Sequence, residues 1–114
     1  MEPEDRDSAY LWDMLDAATA VLDFIEGMDF DAYLADRKLQ LAVERAFEIM
    51  GEAARNISPD FQLKHPEIPW KGIIGQRNVL AHNYGAIKQD LVWEALTVSL
   101  PDLVDRLEEI IPEH

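Results

Sequence analysis

The sequence predicts an all-α fold, a single domain of four or five helices joined by short connections, and three observations predict it. Apolar residues recur at i, i+3, i+4 and i+7 over long stretches, the spacing of amphipathic helices. No stretch sustains the apolar–polar alternation of a half-buried strand. The chain has 114 residues, 48% of them hydrophobic, which suits one small globular domain with a core and little surplus. No repeat, low-complexity tract or long linker divides it, so residues 1–114 read as one domain.

Taken in order, the first helix covers about residues 7–26. Tyr10, Leu11, Met14, Leu15, Ala18, Val21, Leu22 and Ile25 form its inward stripe, with Asp13, Asp16 and Asp23 on the polar side. Gly27 is placed to end it in a left-handed cap. "FDAYLADRK" then reads as a short helical turn leading into a second long helix, about Asp36 to Ile57. Leu39, Val43, Ala46, Phe47, Met50, Ala54 and Ile57 face inward from it. Ser58-Pro59 stops this helix, because the residue before proline is driven to extended backbone and proline suits a fresh helix start.

"FQLKHPEIPW", with Pro66 and Pro69, reads as a connector. A third helix starts near Trp70, carries Ile73, Ile74, Val79 and Leu80, and ends between His82 and Gly85. The last helix runs from about Lys88 to Ile111 through Leu91, Val92, Leu96, Leu103, Val104, Leu107 and Ile110. Pro101 inside it lacks a donor, which predicts a kink or break. Short connections favour an up-and-down bundle, and the two long helices offer a face for an isologous dimer.

Composition narrows the function. With no cysteine, disulfides and thiolate metal sites are excluded. The acidic start "MEPEDRDSAY" is unlike a secretory signal, and no apolar run approaches the ~20 residues that span a bilayer, so the expectation is a cytoplasmic protein without membrane contact. Net charge is −13, from 23 acids against 10 Lys plus Arg. Avid, nonspecific nucleic-acid binding needs a basic surface, and only Arg37, Lys38, Arg45 and Arg55 come near to clustering, with acids among them. A local phosphate site built from one or two arginines fits this charge; so do a basic protein partner and simple solubility.

The candidate chemistry sits in "GQRNVLAHNYG", residues 75–85. Of three histidines, His114 is terminal and His65 precedes a proline in a connector, which leaves His82 for proton transfer near neutral pH. On a straight helix His82 lies roughly 140° from Arg77. Asn83 and Gly85 favour a helix end, beyond which His82 and Tyr84 can turn towards Arg77. The bland alternative has Arg77 and Asn78 in solvent, His82 capping carbonyls and Tyr84 plugging the bundle. Chemically, an arginine fork for phosphate and a histidine for protons meet the needs of metal-independent RNA cleavage through a 2′,3′-cyclic phosphate. One histidine does not readily act as both acid and base, so two copies facing each other would complete the set. Arg45, Glu48, Glu52 and Arg55 form a stripe that is either a solvated, ion-paired helix face or a support, through Glu48 or Glu52, for the Arg77–His82 cluster. No Gly-rich phosphate loop and no G-x-S-x-G elbow is present.

"RNVLAHNY" resembles the Arg-x4-His-x-Tyr signature of the HepT-like toxins, members of the HEPN (higher eukaryote and prokaryote nucleotide-binding) superfamily. "RDSAYLWDMLDA", "LAVERAFEIMGEAARNIS", "HPEIPWKGIIGQRNVLAHNYG" and "DLVWEALTVSLPDLVDRL" are similar, in order, to the family's first helix, second helix, central segment and closing helix. The resemblance implies a HEPN-type bundle, homodimeric, with paired signature segments lining a composite cleft. It implies a metal-independent endoribonuclease toxin, needing no cofactor and acting on RNA. It also implies a cognate MNT-type (minimal nucleotidyltransferase) antitoxin that transfers AMP to the signature tyrosine. Carried over, Arg77 holds phosphate, His82 moves protons, and Tyr84 is a cleft residue and the AMP acceptor. Asn78 matches the polar residue after the arginine, and Glu52, in the Gly51–Ala53 element, is the supporting acid. The competing expectation is a non-catalytic module that binds a nucleotide or docks the same nucleotidyltransferase.

Overall fold

A computed structural model describes residues 3–75 and 89–111, and all the secondary structure among them is helical. The elements are α1 (Pro3–Ile25), α2 (Phe30–Leu34), α3 (Arg37–Asn56), α4 (Pro59–Lys64), α5 (70–75), α6 (Gln89–Glu94), a π-helical segment (Ala95–Ser99) and α7 (Leu100–Ile110). No helix among the described residues is long and apolar enough to cross a membrane. The all-α expectation holds. Val79, Leu80 and the expected end of the third helix lie outside the described residues.

Local chemistry sets each boundary. Gly27 takes φ 78° just past α1, and the Met28 N–H donates to the Ile25 carbonyl at 2.9 Å, so glycine supplies the left-handed turn expected of it. Asp29 and Asp36 cap α2 and α3, their carboxylates accepting from the Ala32 and Leu39 N–H groups at 2.8 and 2.9 Å. The connector reading of "FQLKHPEIPW" needs correction over its first part. Phe61–Lys64 is helical, because the Ser58 hydroxyl accepts from the Phe61 N–H at 3.3 Å while Pro59 and Asp60 suit a first turn. The true connector is 65–69, held by the Trp70 indole N–H donating to the His65 carbonyl at 3.0 Å.

Pro101 does not break the helix, which is continuous from Gln89 to Ile110. The helix instead widens into the π segment directly before it, where the Leu100 N–H donates back five residues to the Ala95 carbonyl. A wider turn draws the preceding carbonyls away from the proline ring, which would clash with the carbonyl four residues back in a regular helix.

The core sits where α1 and α3 pack along each other, closed by α7 and the π segment. Met14, Val21, Val43, Met50, Leu96 and Leu107 are all essentially inaccessible to water. Each such side chain contributes on the order of 1.5–3 kcal/mol through burial. Asp7, near the start of α1, is also buried, and it ties that start to the far end of α3: it accepts from the Ser58 N–H at 2.9 Å and the Ser58 hydroxyl at 2.6 Å. The two long helices therefore run antiparallel.

A second anchor lies at the opposite end. Tyr33 of α2 is fully buried, donates its hydroxyl to Gln89 Oε1 and packs its ring 5.2 Å from that of Trp93. Burial, with the nearby Glu44 carboxylate second, pushes its phenol up to about 12. Buried Gln40 donates its side-chain amide to the carbonyls of Tyr33 and Leu34 at 3.1 and 3.0 Å, satisfying the end of α2. The start of α6 is thereby fixed to α2.

Candidate active site

Arg77, Asn78, His82 and Tyr84 lie outside the described residues. In sequence the segment is bracketed by α5 and α6, both held by the contacts above: Trp70 to His65 on one side, Gln89 to Tyr33 on the other.

Glu52 is described. It lies on the α3 face turned away from the core, between buried Gly51 and Ala53. The Arg55 guanidinium donates to its Oε1 at 3.0 Å, and the Asn56 amide donates to its backbone carbonyl at 2.9 Å and to Oε1 at 3.4 Å. Its Oε2 is buried although the side chain as a whole is about half exposed. One turn earlier, Arg45 donates to Glu48 at 3.3 Å. The stripe expected from the sequence therefore exists as two i,i+3 ion pairs, each exposed enough to be worth no more than about 1 kcal/mol.

The stripe also lines a cleft. Tyr10 and Asp13 of α1 face Arg45, Glu48, Ile49, Glu52, Ala53 and Arg55 of α3 across a space of about 450 Å³. A smaller cleft of about 250 Å³ adjoins at Tyr10, bounded by Arg6, Asp7, Asn56 and Ser58. The sequence puts Tyr10 on the inward stripe and Asp13 on the polar side; Tyr10 does pack in part against the core and Asp13 is exposed, and both also border the cleft. The cleft itself carries no sequence signal beyond Tyr10 being a long amphipathic side chain in the apolar stripe.

His65 is structural, as its place in a connector suggests. Its ring packs 4.5 Å from Phe61, and Nδ1 lies 3.0 Å from Glu67 Oε2. A backbone hydrogen bond at Glu67, and then the His65 ring, hold the Glu67 carboxyl below its ordinary range.

These features define a class: a small, strongly acidic helical domain with a polar cleft between its two longest helices and an Arg, His and Tyr set between α5 and α6. The chain belongs to the HepT-like ribonuclease family, whose description, Ribonuclease HepT-like, matches residues 14–110. That span contains Glu52 and all of 77–84. A protein of Methanocaldococcus jannaschii provisionally named an RNase is 38% identical over 105 residues, 92% of this chain and 87% of its own. A second from the same organism, named in the same way, is 37% identical over 88% of this chain and 92% of its own. "Probable ribonuclease HepT" of Thermococcus cleftensis is 37% identical over 89% and 92%. No solved structure matches the chain.

Proposed function

We propose that this chain is a metal-independent endoribonuclease, the toxin of a two-component module. The observation that carries the reading is the intact Arg77-x4-His82-x-Tyr84 set inside a family match over residues 14–110. Arg77 holds the scissile phosphate through its planar fork. His82 of one protomer removes the 2′-hydroxyl proton while His82 of a second copy protonates the leaving 5′-oxygen. The 2′-oxygen bonds to phosphorus as the P–O5′ bond breaks, leaving a 2′,3′-cyclic phosphate and a 5′-hydroxyl. Asn78, Tyr84 and Glu52 support substrate and geometry. A homodimer is thus part of the mechanism, and exposed Leu41, Leu91 and Val98 leave apolar surface for a partner.

Its control is a nucleotidyltransferase antitoxin that transfers AMP from ATP to the Tyr84 hydroxyl, releasing pyrophosphate. The modification places a negative phosphodiester and a base where RNA phosphate must bind. An antitoxin with a basic face suits the net charge of −13.

Purified protein with RNA in excess chelator should yield cyclic phosphate ends. RNA left intact, together with loss of partner binding in Arg77→Ala, would establish the non-catalytic module instead. Intact mass after incubation with the partner and ATP tests the tyrosine: AMP on another residue would remove Tyr84 from the scheme.

A further inference from the structure

The two adjoining clefts between α1 and α3 hold Arg6, Arg45 and Arg55, three cations from a chain total of 10 Lys plus Arg. We infer that this groove is the track that takes single-stranded RNA, with the arginines on phosphates and the Tyr10 ring under a base. The inference rests on the ribonuclease reading and adds residues to it.

Charge is the first argument. Against a net charge of −13 the surface as a whole repels a polyanion, whereas here three arginines stand against four acids, Asp7, Asp13, Glu48 and Glu52, which leaves the lining close to neutral. A strand is admitted where repulsion is lowest. Geometry is the second. Arg45 and Arg55 are ten residues apart on one helix, about 15 Å along its axis. Arg6 extends the line past the end of α3, where Asn56 and Ser58 share its cleft. Tyr10 borders both clefts and is packed in part against the core, which places an aromatic side chain in a groove that also holds the arginines. An aromatic ring flanked by cations is the element from which sequence-tolerant single-strand sites are made.

The carboxylates set the strength. Arg45 and Arg55 are each held by an acid one turn away on α3, at 3.3 and 3.0 Å, with side chains 71% and 59% exposed. Each arginine is thereby oriented yet keeps donors for a phosphate, and the acids beside it keep that contact weak. The product is selective, low-affinity capture. Glu52, the candidate supporting acid, stands in the wall of this groove, so the track runs past a residue already assigned to the site.

The test is binding of a single-stranded 2′-O-methyl oligoribonucleotide, which lacks the attacking hydroxyl and cannot be cut by the proposed chemistry. Arg45→Ala, Arg55→Ala and Tyr10→Ala should each weaken binding three- to tenfold. Each arginine variant should also flatten the dependence of log K on log salt by about 0.7. Arg106→Ala, an equal charge change on α7 where the arginine pairs with Asp102 at 2.9 Å, should leave affinity and slope unchanged. Thermal melts confirm folding, and Arg55→Lys should recover part of the loss if Arg55→Ala unfolds. No binding by the parent, equal losses in Arg106→Ala, or unchanged RNA affinity with tighter binding of an oligolysine peptide in Arg45→Ala overturns the groove. Cleavage of unmodified RNA by the parent is scored separately: cutting with groove-independent binding rejects only the groove, and groove-dependent binding without cutting rejects only the enzyme.

Discussion

Two buried polar side chains fix the ends of the domain, and each makes a prediction. Asp7 accepts two hydrogen bonds from Ser58, a residue 51 positions away, and Ser58 in turn caps α4. Asp7→Ala leaves a part-buried N–H and hydroxyl without their acceptor and should lower stability by about 1–3 kcal/mol in urea melts. Asp7→Asn keeps one acceptor and should lose less. Tyr33 predicts a pH window. Its folded-state value, pushed up to about 12, lies above the unfolded value of 10.0. The protonated form is therefore the one the fold favours. Its contribution is complete below pH 10 and declines as pH rises towards 12, at no more than about 1.4 kcal/mol per pH unit. Tyr33→Phe should remove that component of alkaline destabilisation from a stability-versus-pH series. It should also lower stability at neutral pH, since Gln89 loses its partner.

At the scale of elements, the long helices were legible in the sequence because burial follows the 3.6-residue period. Leu11, Met14, Ala18 and Val21 are buried in α1, as are Val43, Phe47 and Met50 in α3. Helix α4 was less legible, since two nearby prolines suggested connector throughout while a single side-chain cap and Pro59 sufficed for one and a half turns. The π segment depends on how Pro101 is accommodated inside a helix whose apolar faces already hold it in place. Pro101→Ala should relax it: restored donation to the helix lets Ala95–Ser99 return to α-helical bonding. A shift of the Ala95–Ser99 backbone resonances to ordinary helical values would show this, and unchanged resonances would mean that packing alone holds the wide turn. Gly27→Ala, at φ 78° with open space around it, should cost about 1 kcal/mol through the backbone alone.

For the whole molecule, the candidate site was legible in the sequence only as a motif. The Arg77, His82 and Tyr84 spacing is local and can be read directly, and the family match covers it. The α1–α3 cleft could not be read that way, because Tyr10 and Arg45 come together only through antiparallel packing of helices far apart in sequence. On the proposed mechanism one His82 per chain supplies one proton-transfer group, so the scheme requires a second copy. Activity per protomer should accordingly fall on dilution in parallel with dimer dissociation followed by sedimentation. Constant activity in a monomeric sample would remove the composite cleft.

The central claim, that Arg77 and His82 cut RNA without metal, is tested most directly by single-turnover cleavage in excess chelator, comparing the parent with His82→Ala. The account predicts cleavage by the parent and a loss of about 10²–10⁴-fold in the variant, with its melting temperature and oligonucleotide binding retained. Equal cleavage rates would contradict it.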